Sequence, residues 1–129
     1  MRYLTAEEIL VMHARVIEET GGLDGVRDVG MLAGIAERPK ARFDGKALYL
    51  DLFSKAAAYF ESVVRNHVFA DGNKRTAVMA AGRFLFVNGY ELSALNREVE
   101  SFTLRVAREK LDIKVIAEWF RRHSRKLRK

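Results

Sequence analysis

Cysteine is absent from the chain, and proline occurs once, at position 39. The lack of cysteine excludes a disulfide framework and any thiolate zinc site, and it is typical of a protein that works in a reducing cytosol. The longest weakly polar stretch, residues 77–87, is interrupted by Arg83 and is too short to span a bilayer. The first eight residues contain no apolar run of signal-peptide length. We therefore expect a cytoplasmic protein with no membrane partner.

The excess of positive charge is confined to one end of the chain. The net charge is +6, but six of the 23 Lys and Arg residues lie within 121–129, and the other 17 balance the 17 Asp and Glu residues of 1–120. We predict a single domain over residues 1–120 and a basic tail over residues 121–129. The tail is either a solvated helix end, whose cations suit the helix C-terminus, or a docking segment for nucleic acid or an acidic partner.

Apolar residues recur at helical spacing through most of the chain, which predicts an all-α fold. Thr5 and Glu8 have the spacing of a capping box at the start of the first helix, and Gly21 follows its end. His13 lies on the apolar face of this helix, and we expect it to be a hydrogen-bonded core residue. Further helices are predicted over residues 31–36, 51–66, 71–88 and 97–110, and from residue 112 onward.

The helix over residues 71–88 is apolar nearly all round, which predicts a helical bundle with this helix at its centre. β structure is expected in one place only, residues 40–48. The centre of that segment is Phe43-Asp44-Gly45-Lys46, and Asp-Gly is a strong hairpin signal.

A dense polar cluster lies between two strongly apolar helices. Buried ionisable groups are costly unless they are paired, so such a cluster indicates a concave functional site. Because Asp71-Gly72-Asn73 opens a helix, the first backbone amides have no intrahelical partner and form an anion site beside the positive end of the helix dipole. Gly72 would let an oxygen-rich ligand approach the backbone closely. The polar members of the cluster are Arg65, Asn66, His67, Asp71, Asn73, Lys74, Arg75 and Thr76.

The spacing of these side chains fits the binding of a nucleotide phosphate. Lys74 and Arg75 add positive charge, and Arg75 is able to clasp a phosphate with two donors. Asp71 is the natural ligand for Mg²⁺, and His67 is placed to deprotonate a hydroxyl group. The alternative is a capped helix start, with Asp71 as the cap or paired with Arg75 four residues later.

The stretch His67-Val68-Phe69-Ala70-Asp71-Gly72-Asn73-Lys74-Arg75 resembles the signature of the Fic/Doc superfamily, His-x-Phe-x-Asp/Glu-Gly/Ala-Asn-Gly/Lys-Arg, at every fixed position. Other segments are similar to the death-on-curing (Doc) branch, the toxin half of a bacterial toxin–antitoxin pair. The resemblance implies a Fic/Doc-type helical bundle with a short hairpin flap. These further segments are residues 3–5, 27–32, 38–39, 43–49, 76–77 and 84–89.

The resemblance also implies a role for each residue of the signature. His67 would be the general base on the target hydroxyl, and Asp71 would hold Mg²⁺ on the phosphates of the nucleotide. The amides around Gly72 and Asn73 would form the anion hole, and Arg75 would grip a terminal phosphate.

Position 74 separates two reactions within the superfamily. Fic proteins carry glycine there and transfer AMP, whereas the Doc branch carries lysine, as this chain does. The likeness therefore implies a kinase in which Lys74 attracts the γ-phosphate of ATP, and which phosphorylates a threonine of elongation factor Tu and arrests translation. The alternatives are a Fic-type AMP transferase and a non-catalytic protein that binds a nucleotide or an antitoxin.

The resemblance extends to the partners. The hairpin around residues 43–46 would be a flap that binds the target peptide as an added strand, unless it is only a surface loop. Arg65 would orient the target or a phosphate, unless it forms a surface ion pair. Some Fic proteins carry an inhibitory Ser/Thr-x-x-x-Glu motif, but no Ser or Thr here has Glu four residues later, and Thr20 with Asp24 comes nearest. Inhibition is therefore expected in trans, from an antitoxin whose disordered tail folds into a groove.

Overall fold

The computed structural model describes residues 1–128. This part of the chain forms six α-helices, one short 3-10 helix and two small antiparallel sheets, which confirms the predicted all-α class. None of these helices is long and apolar enough to cross a membrane. The elements, in order, are α1 (Ala6–Thr20), α2 (Val29–Glu37), the 3-10 helix (Arg38–Lys40), β1 (Arg42–Phe43), β2 (Lys46–Ala47), α3 (Leu52–Asn66), α4 (Asn73–Val87), β3 (Tyr90–Leu92), α5 (Asn96–Arg108), α6 (Ile113–Arg122) and β4 (Ser124–Lys126).

The first helix has the predicted ends. The Thr5 hydroxyl accepts a hydrogen bond from the Glu8 amide at 3.1 Å, and the Glu8 carboxylate accepts one from the Thr5 amide at 3.0 Å. This reciprocal pair satisfies two amides that the first turn leaves free. Gly21 ends the helix with a φ of +75°, a conformation that suits glycine.

The centre of the bundle is α3, whereas the sequence predicted the helix that follows it. Ten of the 15 side chains of α3 are buried, and its neighbours include α2, α4, α5 and α6. By contrast, α4 keeps one face in solvent, where Phe86 is 50% exposed. The Arg83 guanidinium lies 5.8 Å from the Phe86 ring centroid, so a cation and not the core covers this ring.

Residues 1–128 form two β-sheets and not one, besides an isolated bridge between Val26 and Phe69. The predicted hairpin is present, with Arg42 opposite Ala47, and Asp44 and Gly45 at its turn both have positive φ. The second sheet pairs β3 with β4, with Glu91 opposite Arg125. The expectation of a single β segment was therefore wrong.

The predicted basic tail is partly built into the fold. Helix α6 runs to Arg122, and β4 takes up residues 124–126. Arg121 pairs with Asp51 at 2.9 Å, Arg122 pairs with Glu118 at 3.2 Å, and Arg125 pairs with Glu91. Three basic side chains of residues 121–128 are thus matched by acids of the protein, which leaves fewer of them to attract an external polyanion. Lys129, the last residue of the predicted tail, lies outside the described residues.

Candidate active site

A loop of six residues joins the central helix to α4 and carries the polar cluster. Its first residue, His67, follows α3 in the left-handed conformation, with φ +48° and ψ +46°. A non-glycine residue adopts this conformation at a cost of about 1 kcal/mol or more, and such residues are frequent at functional sites. The next two side chains, Val68 and Phe69, are fully buried, so they anchor the loop while His67 stays exposed.

Asn73, the first residue of α4, holds the loop through its side chain. Its Oδ1 accepts from the Phe69 amide at 3.0 Å, and its Nδ2 donates to the Phe69 carbonyl at 2.9 Å. The two bonds satisfy the N–H and the C=O of Phe69, as a neighbouring strand would, and hold the loop against the start of α4. Both polar atoms of the side chain are therefore used within the protein, which leaves the backbone amide of Asn73 for the predicted anion.

Gly72 is the N-terminal cap residue of α4, and no side chain among residues 1–128 caps the first turn. Its φ is +79°, and a Cβ there would lie 3.2 Å from side-chain carbons of both Val16 and Ile17. Glycine is thus needed for a left-handed backbone packed closely against α1. The sequence argument gave a different reason, the approach of a ligand.

Asp71 neither caps α4 nor pairs with Arg75, so both of these alternatives were wrong for the described residues. Its Oδ2 accepts from the Leu23 amide at 2.8 Å, and its main-chain oxygen lies 2.7 Å from His13 Nε2. The other carboxylate oxygen has no donor within residues 1–128, so it is left for a ligand. The expected core role of His13 is confirmed, since its ring is fully buried.

The structure brings six of the predicted site residues to one cavity of about 500 Å³ over the start of α4. Lys74 and Arg75 have no ion-pair partner among the described residues, so their charges are not neutralised within the protein. Thr20, Gly21 and Gly22 close the cavity on the side of α1. The six predicted residues that line it are His67, Asp71, Gly72, Asn73, Lys74 and Arg75.

Two further cavities adjoin this one and share residues with it. A groove of about 740 Å³ runs between α1, α4 and α5 and includes Lys74 and Arg75. A recess of about 470 Å³ beside the C-terminal end of α5 includes His67 and Lys74. Lys74 therefore lies where all three spaces meet.

The glycine-rich segment over residues 21–27 lies alongside the loop, which the sequence did not indicate. The Arg27 amide donates to the Val68 carbonyl at 2.8 Å, and the Ala70 amide donates to the Gly25 carbonyl at 3.2 Å. Three of its residues are glycines with positive φ. Three glycines within seven residues are more than one turn needs, and this was the signal in the sequence that the segment has a further role.

The residues predicted to bind the target are placed differently. None of Phe43, Asp44, Gly45 and Lys46 lines the three cavities. The hairpin precedes the first turn of α3, whereas His67 follows the last turn, about 22 Å along the helix axis from its 15 residues. Target binding by the hairpin stays a prediction.

Arg65 fixes the end of α5 beside the recess. Its Nε donates to the Val106 carbonyl at 3.2 Å, one terminal nitrogen donates to the Glu109 carbonyl at 2.6 Å, and the other pairs with Glu61 at 2.8 Å. These bonds occupy most of the guanidinium donors. The ion pair is the alternative that the sequence left open, and a role for Arg65 in target binding stays a prediction.

The side chains at the site fit a Mg²⁺ ion that would be held mainly by the phosphate oxygens of a bound ligand. Within residues 1–128 no three His, Cys, Asp or Glu side chains group closely enough to enclose a metal ion. Mg²⁺ is commonly bound by one or two carboxylates together with phosphate oxygens. Asp71, which has one carboxylate oxygen without a donor among residues 1–128, would be able to supply that single carboxylate.

Comparison with known proteins shows the family of this chain. The family model described as "Fic/DOC family" matches residues 3–85. A protein of Mycolicibacterium smegmatis named "Toxin Doc" is 44% identical over 92 residues, 71% of this chain and 68% of that protein. A protein of Escherichia phage P1 named "Protein kinase doc" is 34% identical over 122 residues, 95% of each chain. The chain belongs to the Fic/DOC family, in its Doc branch.

Proposed function

We propose that this protein is a Doc-type toxin that transfers the γ-phosphate of ATP to a threonine of elongation factor Tu, with Mg²⁺, and thereby arrests translation. The observation that carries the proposal is Lys74, which has no ion-pair partner within residues 1–128 and lies in the first turn of α4 where the three cavities meet. The name of the phage relative, which calls that protein a kinase, supports the same reaction.

The reaction requires the protein to position the reacting groups and to neutralise the negative charge of the phosphates. The amides that open α4, together with Lys74 and Arg75, would bind phosphate oxygens through the helix dipole and two cations. The imidazole of His67 would take the proton of the target hydroxyl as that oxygen bonds to the γ-phosphorus and ADP leaves. Magnesium bound at Asp71 would neutralise part of the phosphate charge.

Lys74 favours phosphate transfer over AMP transfer for a steric and an electrostatic reason. In Fic proteins the glycine at this position leaves room for the α- and β-phosphates. A lysine side chain would fill part of that room and attract the most highly charged end of ATP, which is the γ-phosphate. The γ-phosphorus would then face His67.

The toxin would be restrained by an antitoxin in trans. The groove between α1, α4 and α5 opens beside Lys74 and Arg75, and it is lined by apolar side chains that include Val78, Met79 and Val99. An amphipathic segment that folds in this groove would cover its apolar side chains and close one side of the phosphate site.

The experiment is to incubate the purified protein with elongation factor Tu, magnesium and ATP labelled at either the γ- or the α-phosphate. We expect label on the factor from the γ-position only, and none with the His67→Ala variant. Label from the α-position only would instead establish the AMP transferase. ATP that binds and is recovered unchanged, with no labelled protein even in a cell extract, would establish the non-catalytic binding protein.

A further inference from the structure

One buried histidine contacts the loop that carries the candidate active site. His13 on α1 is fully buried, and its ring stacks on that of Phe69 with a centroid separation of 3.8 Å and an angle of 7°. Its Nε2 lies 2.7 Å from the Asp71 carbonyl oxygen, 58 residues away in the sequence. Because a carbonyl only accepts hydrogen bonds, Nε2 carries the proton and donates.

This hydrogen bond holds the part of the loop from which the groups that would bind phosphate and metal extend. The Asp71 carbonyl belongs to the peptide group that also contains the Gly72 amide, and the Asp71 carboxylate extends from the same residue. This bond ties α1 to the peptide group from which the free carboxylate oxygen and the first amides of α4 extend. The stacked Phe69 ring holds the loop at a second point, where Asn73 binds the Phe69 backbone from the other side.

We propose that His13 is a positioning residue for the transfer reaction, because its Nε2–H aligns the Asp71–Gly72 peptide group and through it the carboxylate and the amides that meet the phosphates. The inference rests on the proposed function. A misplacement of reacting groups by about 1 Å is able to reduce a rate about a hundredfold, so one bond at this peptide has consequences for the rate out of proportion to its contribution to stability.

A purely structural role for His13 has a different consequence. If the ring only fills space beneath Phe69, another aromatic ring of similar size should serve as well. If the donated hydrogen bond is what matters, a side chain with an N–H at the same distance from the backbone should retain function without the aromatic ring. Glutamine has its amide nitrogen at the ε position, so it keeps the donor and lacks the ring. His13→Phe and His13→Gln both lose the contact of 3.6 Å between His13 Nδ1 and Asp24 Oδ1, so the comparison between them isolates the donated bond.

The experiment compares His13→Phe, His13→Gln and a matched control, His123→Phe. His123 also stacks on an aromatic ring, that of Trp119 at 4.0 Å, and its Nδ1 lies 2.8 Å from the Trp119 carbonyl oxygen, but it lines none of the cavities around the loop. The readouts are kcat, KM for ATP, the thermal unfolding midpoint, and hydrogen exchange of the backbone amides of residues 69–73.

We expect His13→Phe to lower kcat about tenfold or more with KM changed by less than about threefold. Exchange of the amides of residues 69–73 should accelerate about tenfold while the unfolding midpoint stays close to that of wild type. His13→Gln should recover most of kcat and of the amide protection, and His123→Phe should match wild type. Wild-type kcat and protection in His13→Phe would overturn the inference, as would a His13→Gln variant no better than His13→Phe.

The exchange measurement keeps this inference separate from the proposed function. A wild-type protein that transfers nothing contradicts the proposed function, and the amide protection of the variants then decides on its own whether His13 fixes the loop. If His13→Phe does not fold, the test falls on His13→Gln, whose protection at residues 69–73 should stay within about threefold of that of wild type. Accelerated exchange there would contradict the inference.

Discussion

Asn73 and Lys74 are neighbours in the sequence, and the structure gives them opposite surroundings. The Asn73 side chain turns back onto the loop and binds both polar atoms of the Phe69 backbone, whereas Lys74 is exposed and borders three cavities. The polar cluster indicated that both lie at a site. It did not indicate which side chain serves the ligand, because that depends on the direction in which each leaves the first turn of α4.

Replacement of Asn73 tests this division at the scale of one residue. Asn73→Ala removes two hydrogen bonds and should lower the free energy of unfolding by about 1–3 kcal/mol, measured by urea denaturation. Asn73→Asp keeps an acceptor for the Phe69 amide but sets a carboxylate oxygen against the Phe69 carbonyl, so it should also lose stability. It also places a negative charge beside the phosphate site, so ATP should bind it more weakly than wild type. Unchanged stability in Asn73→Ala would contradict the role assigned to its side chain.

Helix ends and turns were predictable because their signals are local. The capping box of Thr5 and Glu8 and the Asp-Gly hairpin each lie within a few residues, and the structure has both. The β3–β4 sheet was not predictable, since it pairs Glu91 with Arg125, 34 residues away, and two helices separate the strands where a hairpin would have a turn. The path of the glycine-rich segment along the loop likewise depends on tertiary contacts.

The start of α3 offers a prediction at the scale of one element. Asp51 caps this helix and pairs with Arg121. Partial burial acts to raise the pKa of its carboxyl group. The hydrogen bonds from the Ser54 amide, Arg121 and the Ser54 hydroxyl outweigh burial and lower the pKa below its ordinary 3.8.

A lowered pKa means that this carboxylate stabilises the fold fully above its ordinary pKa and loses the effect as the pH falls through the lowered value. Asp51→Ala should therefore reduce the free energy of unfolding by about 1 kcal/mol at neutral pH. The difference from wild type should disappear in strongly acidic solution. Urea denaturation across this pH range is the measurement, and a difference that persists at low pH would contradict the assignment.

At the scale of the whole molecule, the site lies at a junction of α1, α3, α4 and α5, and the groove beside it has an apolar floor. Val99→Arg places a charge in that groove, on α5, at a residue outside the signature. We expect the variant to arrest growth as wild type does but to escape rescue by the co-expressed antitoxin, because the apolar face of the antitoxin loses its contact.

Val115→Arg is the matched control for this experiment, since Val115 is 46% exposed on α6 and lines none of the cavities around the loop. The antitoxin should rescue it fully. Rescue of Val99→Arg to the same degree would place the antitoxin elsewhere on the molecule.

The central claim is that Lys74 makes the site over α4 a phosphotransferase. The most direct measurement is the intact mass of elongation factor Tu after incubation with magnesium, ATP and either wild type or Lys74→Gly. We expect a gain of one phosphoryl group with wild type and loss of that product with Lys74→Gly. A gain of one adenylyl group with wild type would contradict the account.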